Sequence, residues 1–136
     1  MMEMTITFHD DRYMEGHYKD YTVRMGPSGK PWWEGPTPGA FDLFIMSIGL
    51  CTASVVWAFL DSRDISIVGT TLRLVTTLDE KVHMITHVAT VLNMPAGFPE
   101  KYKDAVARAA ESCAVKKHMQ HSPKFTTEVN IASSQA

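Results

Sequence analysis

Apolar positions alternate with polar ones in some parts of this chain and recur with a helical period in others, which predicts both strands and helices. The predicted elements are a strand at 3–9, a turn region that leads to a strand at 21–25, a helix from Pro38–Ala40 to about Ser62, a hairpin over 65–94, a helix over 95–120 and a last strand at 124–131. This order of elements predicts an α+β fold.

The predicted hairpin turns near Asp79–Lys81, and its two strands each carry an apolar face. The side chains predicted to share one face are Leu72, Leu74, Thr76 and Leu78 on the first strand and Val82, Met84, Val88 and Leu92 on the return strand.

The most apolar run of the chain, Leu43–Leu60, contains no charged residue and is close to the length of a membrane span, which needs roughly 17–25 residues. Ser47, Gly49, Thr52 and Ser54 make it less apolar, and no cluster of basic residues flanks it. A helix buried on all sides has the same composition. A domain this small can bury such a helix completely only if a second subunit covers it. The run therefore favours a helix buried in a homodimer over a membrane span.

The composition narrows the possible classes of protein. The 136 residues fit one domain, 1–136, with a polar tail at about 132–136. A net charge of -2 gives no basic surface for nucleic acid. Two cysteines are too few for a disulfide scaffold, and the N-terminus lacks the pattern of a secretory signal. We therefore expect a cytoplasmic protein.

Both cysteines, Cys51 and Cys113, lie on apolar faces of predicted helices. In the second helix, Tyr102, Val106, Ala109 and Cys113 form one stripe at helical spacing. Free cysteines are often small core residues, so an inert pair is one interpretation. A pair of reactive thiols is the other.

A reactive Cys51 needs a nearby positive charge, because the nucleophile is the thiolate and an apolar helix interior raises the pKa of a thiol. Arg63 follows twelve residues later, roughly 18 Å along the helix, which is too far. Arg12 and Arg24 in the N-terminal segment are the candidates, because arginine stays charged and can hold a thiolate and a substrate oxygen at the same time.

A metal site is a further alternative, built from Cys113, His118 and His121. However, five residues separate Cys113 from His118, which turns the thiol away from the two imidazoles on a helix. The chain also lacks a CxxC motif, so we predict no metal. Trp32 and Trp33, in a loop rich in proline and glycine, either line a ligand pocket or fasten the loop to the domain.

Two blocks of sequence resemble the OsmC/Ohr family. The block "PGAFDLFIMSIGLCTASVV" (38–56) is similar to the central helix with the first cysteine, and "RAAESCAVKKHM" (108–119) is similar to the C-[AP]-V motif with a basic residue after it. The segments "GPTPG" (35–39) and "SRDISIVGTTLRL" (62–74) also fit, and the likeness spans most of residues 1–131.

The resemblance implies an intertwined homodimer with antiparallel sheets around a long central helix, and a thiol-dependent peroxidase that acts on organic hydroperoxides. Cys51 matches the peroxidatic cysteine and Cys113 the resolving cysteine. The family's active-site arginine comes from the N-terminal hairpin, where Arg12 in "DDR" is the better match and Arg24 the second.

The chain departs from the family pattern near the start of the central helix. The family glutamate that orients the arginine lies ten residues before the first cysteine, and that position is Phe41 here. Asp42 follows it, turned by about 100° around the helix. Asp42 is therefore either the partner of the arginine or an acid that stabilises the helix N-terminus.

The expected reaction uses no bound cofactor. The Cys51 thiolate attacks the peroxide, the resulting sulfenic acid forms a disulfide with Cys113, and an external dithiol reduces the pair. Phe41, Phe44, Trp32 and Trp33 are predicted to shape an apolar substrate pocket. The alternative is a dimeric protein that binds a small hydrophobic ligand in the same region and has structural cysteines.

Overall fold

The computed structural model describes residues 2–27 and 35–133 and has the expected α+β architecture. The strands are β1 (Thr5–Phe8), β2 (Met14–Tyr18), β3 (Tyr21–Met25), β4 (Thr71–Asp79) and β5 (Met84–Asn93). The helices are α1 (Ala40–Asp61), α2 (Lys103–Glu111), which follows a 3₁₀ turn at Glu100–Tyr102, and α3 (Ala114–Gln120). β1–β2–β3 form one antiparallel sheet and β4–β5 a second.

The N-terminal sheet contains a strand that the sequence pattern did not predict. β2 occupies most of the segment interpreted as a turn region and pairs with both β1 and β3. The β2–β3 turn is only Lys19–Asp20, between the paired Tyr18 and Tyr21, and Lys19 has a φ of 50°. Lysine is not a usual residue for a positive φ in a tight turn, so no residue type at this point indicates that a strand ends there.

The long helix α1 begins and ends close to its predicted limits. The Asp42 carboxylate accepts a hydrogen bond of 2.8 Å from the backbone N–H of Gly39, which satisfies a free donor at the helix start. Its inner face is buried at Ile48, Thr52, Val56 and Leu60. α1 is also long and apolar enough to cross a membrane by length and composition.

The hydrophobic core lies between the C-terminal half of α1 and α2. Val56 and Leu60 pack with Val106 and Ala110 of α2. Farther toward the N-terminus, α1 approaches β4 at Gly49, where a Cβ atom would lie 3.0 Å from Leu74 Cδ1. A glycine at this position lets the strand pack close to the helix that carries Cys51.

The β4–β5 hairpin turns as predicted, but one face of its return strand differs. The register shifts between Thr77 and Leu78, so that Leu78 pairs with Ile85. Because side chains alternate along a strand, this bulge moves the inward position by one residue. Ile85 is half-buried and Met84 is 61% exposed, so the prediction that Met84 shares the inner face was wrong.

The second predicted helix is interrupted. α2 ends at Glu111 and α3 begins at Ala114, with Cys113 in an extended conformation at the N-cap of α3. Val106, Ala110 and Cys113 are the buried positions of this region. Cys113 is therefore buried, as its apolar neighbours indicated, but at a break between helices and not on a continuous stripe.

The predicted last strand at 124–131 is not a strand in this chain. Residues 122–133 lie outside every helix and strand, and all are exposed. A strand needs a neighbour for its backbone hydrogen bonds, and among the described residues no strand pairs with 124–131.

Candidate active site

Cys51 lies in the middle of α1, with its thiol facing the start of α3. The residue is half-buried. α1 passes beside both α2 and α3, and the break after α2 directs the free N–H groups of the first turn of α3 toward α1.

This arrangement lowers the pKa of the Cys51 thiol below its ordinary value. The largest cause is a hydrogen bond from the backbone N–H of Val115, followed by the hydrogen bond that the side chain of Cys113 makes with the thiol. Partial burial opposes the lowering, and the N–H of Ala114 and the charge of Lys116 add to it. Hydrogen-bond donors and a cation stabilise the thiolate, which is the nucleophilic form.

Lys116 contributes a positive charge that lowers the pKa of Cys51. The residue is half-buried and its ammonium donates a hydrogen bond of 3.3 Å to the backbone oxygen of Ala110. This hydrogen bond holds the lysine near the α2–α3 break. The ammonium acts on Cys51 through its charge, in addition to the hydrogen bonds from Val115, Cys113 and Ala114.

Cys113 is fully buried and its side chain hydrogen-bonds to Cys51. The fold therefore brings together two cysteines that lie 62 positions apart in the sequence. Both are free thiols. In contrast, His118 is engaged through Nδ1 with the backbone oxygen of Ala114 at 2.7 Å. Among the described residues, no group of three His, Cys, Asp or Glu side chains is arranged to hold a metal ion.

Arg12 and Arg24 lie in the N-terminal sheet. Arg24 forms an ion pair of 2.9 Å with Asp11, and its guanidinium stacks over the Tyr13 ring at 4.1 Å. Arg12 is in the turn before β2 with a φ of 70°. Neither arginine contributes to the lowered pKa of Cys51 within this one chain. Their predicted role at Cys51 stays a prediction.

An apolar cavity of about 340 Å³ lies within one helical turn of Cys51 along α1, because Ile48 lines it. The N-terminal half of α1, β5 and α3 line it with Phe41, Phe44, Ile48, Val88 and Lys116, among others. Cys51 itself is not among the lining residues. Phe41 and Phe44 also pack against each other, with ring centroids 5.4 Å apart.

Comparison with known proteins gives the family. The sequence model of the family described as OsmC-like protein matches residues 29–128, most of the chain. The chain belongs to the OsmC-like protein family. No curated protein sequence matches it.

Solved structures agree with this assignment at the level of the fold. An osmotic stress induced and detoxification response protein from Psychrobacter arcticus aligns with a TM-score of 0.69 at 16% identity, over 86% of this chain and 87% of that one. An OsmC-like protein from Mycoplasma pneumoniae has a TM-score of 0.69 at 9% identity, over 90% and 89%. The organic hydroperoxide resistance protein OhrB of Bacillus subtilis has a TM-score of 0.55 at 13% identity, over 88% and 92%.

Sequence reasoning missed the donors that α3 supplies to Cys51 in this OsmC-like chain. Only arginines were predicted to supply the positive charge beside Cys51, and no role was predicted for Val115 or Lys116 in the "CAVK" segment. No local signal marks the start of α3, because no side chain caps it and the Ser112 hydroxyl donates instead to the backbone oxygen of Ala109. Trp32 and Trp33, predicted to line the pocket, lie outside the described residues.

Proposed function

We propose that this OsmC-like protein is a thiol-dependent peroxidase that reduces organic hydroperoxides. The observation that carries the proposal is the environment of Cys51. The residue is half-buried, its thiol meets the N–H of Val115 and the side chain of Cys113, and Ile48, one helical turn before it, lines an apolar cavity. A thiol with a lowered pKa in a partly exposed, donor-rich site is the setting in which cysteines react with oxidants.

The first step is attack of the Cys51 thiolate on the outer oxygen of the hydroperoxide. The O–O bond breaks, the alkoxide leaves and takes a proton to become the alcohol, and Cys51 becomes a sulfenic acid. The Cys113 thiol then attacks the Cys51 sulfur, water leaves, and a Cys51–Cys113 disulfide remains. The pair has given two electrons to the peroxide, and these must be replaced from outside.

The second half of the cycle needs an external dithiol, which returns the two electrons by thiol–disulfide exchange. Cys113 is fully buried and Cys51 is half-exposed, so a reductant reaches Cys51 first. The mixed disulfide forms on Cys51 and releases Cys113 as the thiol. A reducing cytoplasm would supply such a dithiol, and no bound cofactor takes part.

The cavity favours hydroperoxides with an alkyl or aryl group. Phe41, Phe44 and Ile48 offer apolar contacts that hydrogen peroxide is too small and too polar to use. We expect organic hydroperoxides to react faster than hydrogen peroxide for this reason. Asp42, which lines an adjacent cavity of about 280 Å³, caps the helix that carries these residues.

We propose that the active form of the protein is a homodimer. α1 exposes an apolar stripe at helical spacing, formed by Met46, Leu50 and Trp57. One face of the N-terminal sheet is also apolar and exposed at Ile6 and Phe8. Covering both faces with a second subunit would bring a partner's N-terminal sheet near α1. Arg12 or Arg24 would then stabilise the departing alkoxide from across the interface.

The alternative function is binding of a small hydrophobic ligand in the cavity at Phe41 and Phe44, with structural cysteines. The same cavity supports it. A protein that only binds has no use for a thiol with a lowered pKa, and this is why we prefer the peroxidase.

The test is a count of free thiols before and after one equivalent of cumene hydroperoxide, with wild type, Cys51→Ser and Cys113→Ser. We expect wild type to lose both thiols to an internal disulfide, and Cys51→Ser to keep its Cys113 thiol. If both thiols survive in wild type, the peroxidase proposal is wrong and the ligand-binding function takes its place. Equal rates with hydrogen peroxide and cumene hydroperoxide would contradict the role of the cavity.

A further inference from the structure

The proposed reaction releases an alkoxide, which must take a proton from an acid near Cys51. The thiolate attacks the outer oxygen of the hydroperoxide and keeps that oxygen in the sulfenic acid. The inner oxygen departs with the electron pair of the O–O bond, and an alkoxide is a strong base. An acid that protonates it as the bond breaks accelerates such a step by typically about 10²–10⁴-fold.

The position of the leaving oxygen restricts where this acid can lie. During the attack, the sulfur and the two peroxide oxygens approach a straight line, so the inner oxygen points away from the Cys51 sulfur. The inner oxygen is also bonded to the alkyl group, for which the cavity at Phe41 and Phe44 offers apolar contacts. The proton donor must therefore reach from the surroundings of the thiol into this cavity.

Lys116 meets this requirement. It follows Val115, whose backbone N–H donates a hydrogen bond to the Cys51 thiol, and its own charge acts on the same thiol. Its side chain also lines the cavity, together with the rings of Phe41 and Phe44. A lysine carries its ammonium on a flexible four-carbon stem, so the group can follow an oxygen that moves from the thiol toward the cavity.

The ammonium of Lys116 has N–H groups left for a substrate. Its hydrogen bond of 3.3 Å to the backbone oxygen of Ala110 uses one of the three N–H groups of a lysine. None of the ion pairs found among the described residues involves Lys116. The residue is half-buried, and its remaining donors are available to an oxygen in the cavity.

No other acid lines this cavity in the described part of the chain. Apart from Lys116, its lining residues are apolar except for Gln120, whose amide donates hydrogen bonds but does not release a proton. Asp42 lines an adjacent cavity, and an ionised carboxylate only accepts hydrogen bonds. The proton for the alkoxide is thus available from one side chain of the cavity wall.

We propose that Lys116 is the general acid of the peroxidase reaction and gives a proton from its ammonium to the leaving alkoxide. The thiolate of Cys51 and the hydroperoxide become the sulfenic acid and the alcohol, and the ammonium becomes a neutral amine that regains its proton from the solvent. The transfer is favourable, because an ammonium is a much stronger acid than an alcohol.

This role differs from the one proposed for Arg12 or Arg24 of a second subunit. Arginine stays protonated in proteins, so it stabilises the developing negative charge without removing it. Lys116 removes the charge by forming the O–H bond of the alcohol. The inference rests on the proposed peroxidase function and adds the residue that supplies the proton.

The experiment compares two oxidants that differ in their leaving group. Cumene hydroperoxide releases an alkoxide, which needs a proton, whereas peracetic acid releases acetate, a weak base that leaves without one. Iodoacetamide alkylates Cys51 and releases iodide, so its rate measures the fraction of thiolate in each protein. All three rate constants are measured at one pH, on full-length reduced protein, from the loss of the Cys51 thiol by mass spectrometry.

The variants are Lys116→Met and, as the matched control, Lys117→Met. Lys117 is exposed and does not line the cavity. After correction for the alkylation rate, we expect Lys116→Met to lose about 100-fold or more in rate with cumene hydroperoxide and to keep the wild-type rate with peracetic acid. Lys117→Met should match wild type with all three reagents. Equal losses with both oxidants, or no loss beyond the change in alkylation, would overturn the proposal.

A further variant separates the proton from the charge. Lys116→Arg keeps a positive charge but holds its proton more firmly, so it should be alkylated at the wild-type rate and still react slowly with cumene hydroperoxide. A wild-type rate with cumene hydroperoxide would show that charge alone is sufficient, and Lys116 would not be the general acid. Circular dichroism verifies the fold of each variant, and Lys116→Arg alone decides if Lys116→Met does not fold.

Failure of the peroxidase proposal itself gives a different result. If wild type keeps both thiols in the presence of cumene hydroperoxide, the reaction does not occur and the role of Lys116 in it is wrong as well. If wild type reacts and Lys116→Met reacts equally fast, the peroxidase proposal stands and only the assignment of Lys116 is wrong.

Discussion

The backbone N–H of Val115, in the first turn of α3, donates a hydrogen bond to the thiol of Cys51 in the middle of α1. The two residues lie far apart in the sequence, and the contact exists because the chain breaks its second helical region at Cys113. A mid-helix thiol has no help from its own helix, whose N–H groups are all engaged. The thiolate is therefore stabilised by the free N–H groups of another helix.

Replacing Lys116 tests the contribution of its charge to this site. In Lys116→Met the pKa of Cys51 should rise, because a positive charge that lowers it has been removed while the length of the side chain is kept. The rate of alkylation of Cys51 by iodoacetamide, measured against pH, should shift its midpoint upward. Lys117→Met is the control, because Lys117 is exposed and is not among the causes of the lowering. Identical pH profiles for the two variants would show that Lys116 does not affect the pKa of Cys51.

The same lowered pKa makes stability depend on pH in a defined direction. Between the pKa of Cys51 in the folded protein and its higher value in the unfolded chain, the unfolded state binds more protons. The contribution is therefore complete above the unfolded pKa and is lost as pH falls through the folded pKa. Urea unfolding of wild type and Cys51→Ser over this range should show a difference in free energy that grows with pH. A difference that shrinks as pH rises would contradict the lowered pKa.

Asp42 gives a test that separates capping from catalysis. Asp42→Ala removes the hydrogen bond to the Gly39 N–H and should lower the free energy of unfolding by about 0.5–2 kcal/mol. Asp61→Ala, at the other end of α1, lacks this cap and serves as the control. If Asp42 only caps the helix, the rate of Cys51 oxidation per folded molecule stays at the wild-type value. A large loss of rate with unchanged stability would instead support the partnership with the active-site arginine.

The apolar stripe on α1 predicts the effect of a charge at its centre. Leu50→Glu should convert the proposed dimer to monomer, because an unpaired carboxylate would be buried between the two copies. Val68→Glu alters another exposed apolar residue, away from α1, and should leave the dimer intact. Sedimentation velocity measures both. Dimers of unchanged affinity in Leu50→Glu would mean that the stripe is not the interface.

The close packing at Gly49 predicts that any larger side chain at this position lowers the free energy of unfolding. Gly49→Val would force its side chain against Leu74, whose Cδ1 already lies 3.0 Å from the Cβ position. We expect a loss of about 1–3 kcal/mol in the free energy of unfolding, a typical value for overpacking. The double variant Gly49→Val with Leu74→Ala should recover part of it, because the clash is relieved. If thermal or urea unfolding shows no recovery of stability in the double variant, the contact with Leu74 is not the source of the strain.

Elements with strong local signals were predictable from the sequence. The limits of α1 follow from Pro38, Gly39 and an uninterrupted apolar run, and the hairpin follows from alternation on both sides of a polar turn at 79–81. β2 was missed because its turns use Arg12 and Lys19 at positive φ, where sequence rules expect glycine or asparagine. Met84 was assigned to the wrong face because the prediction kept one alternation along the whole strand, whereas the β-bulge shifts the inward position to Ile85.

The sequence by itself determined the α+β class, the central helix and the two cysteines as the candidate pair, because periodicity and residue type are local properties. Only the tertiary structure decided that Cys51 and Cys113 meet, and that Val115 and Lys116 lower the pKa of Cys51. Hydrogen bonds between distant segments depend on how helices end and cross, which no local pattern encodes. The segment 124–131 illustrates the same physics: its alternation specifies a strand, but a strand exists only where a neighbour supplies the other half of each hydrogen bond.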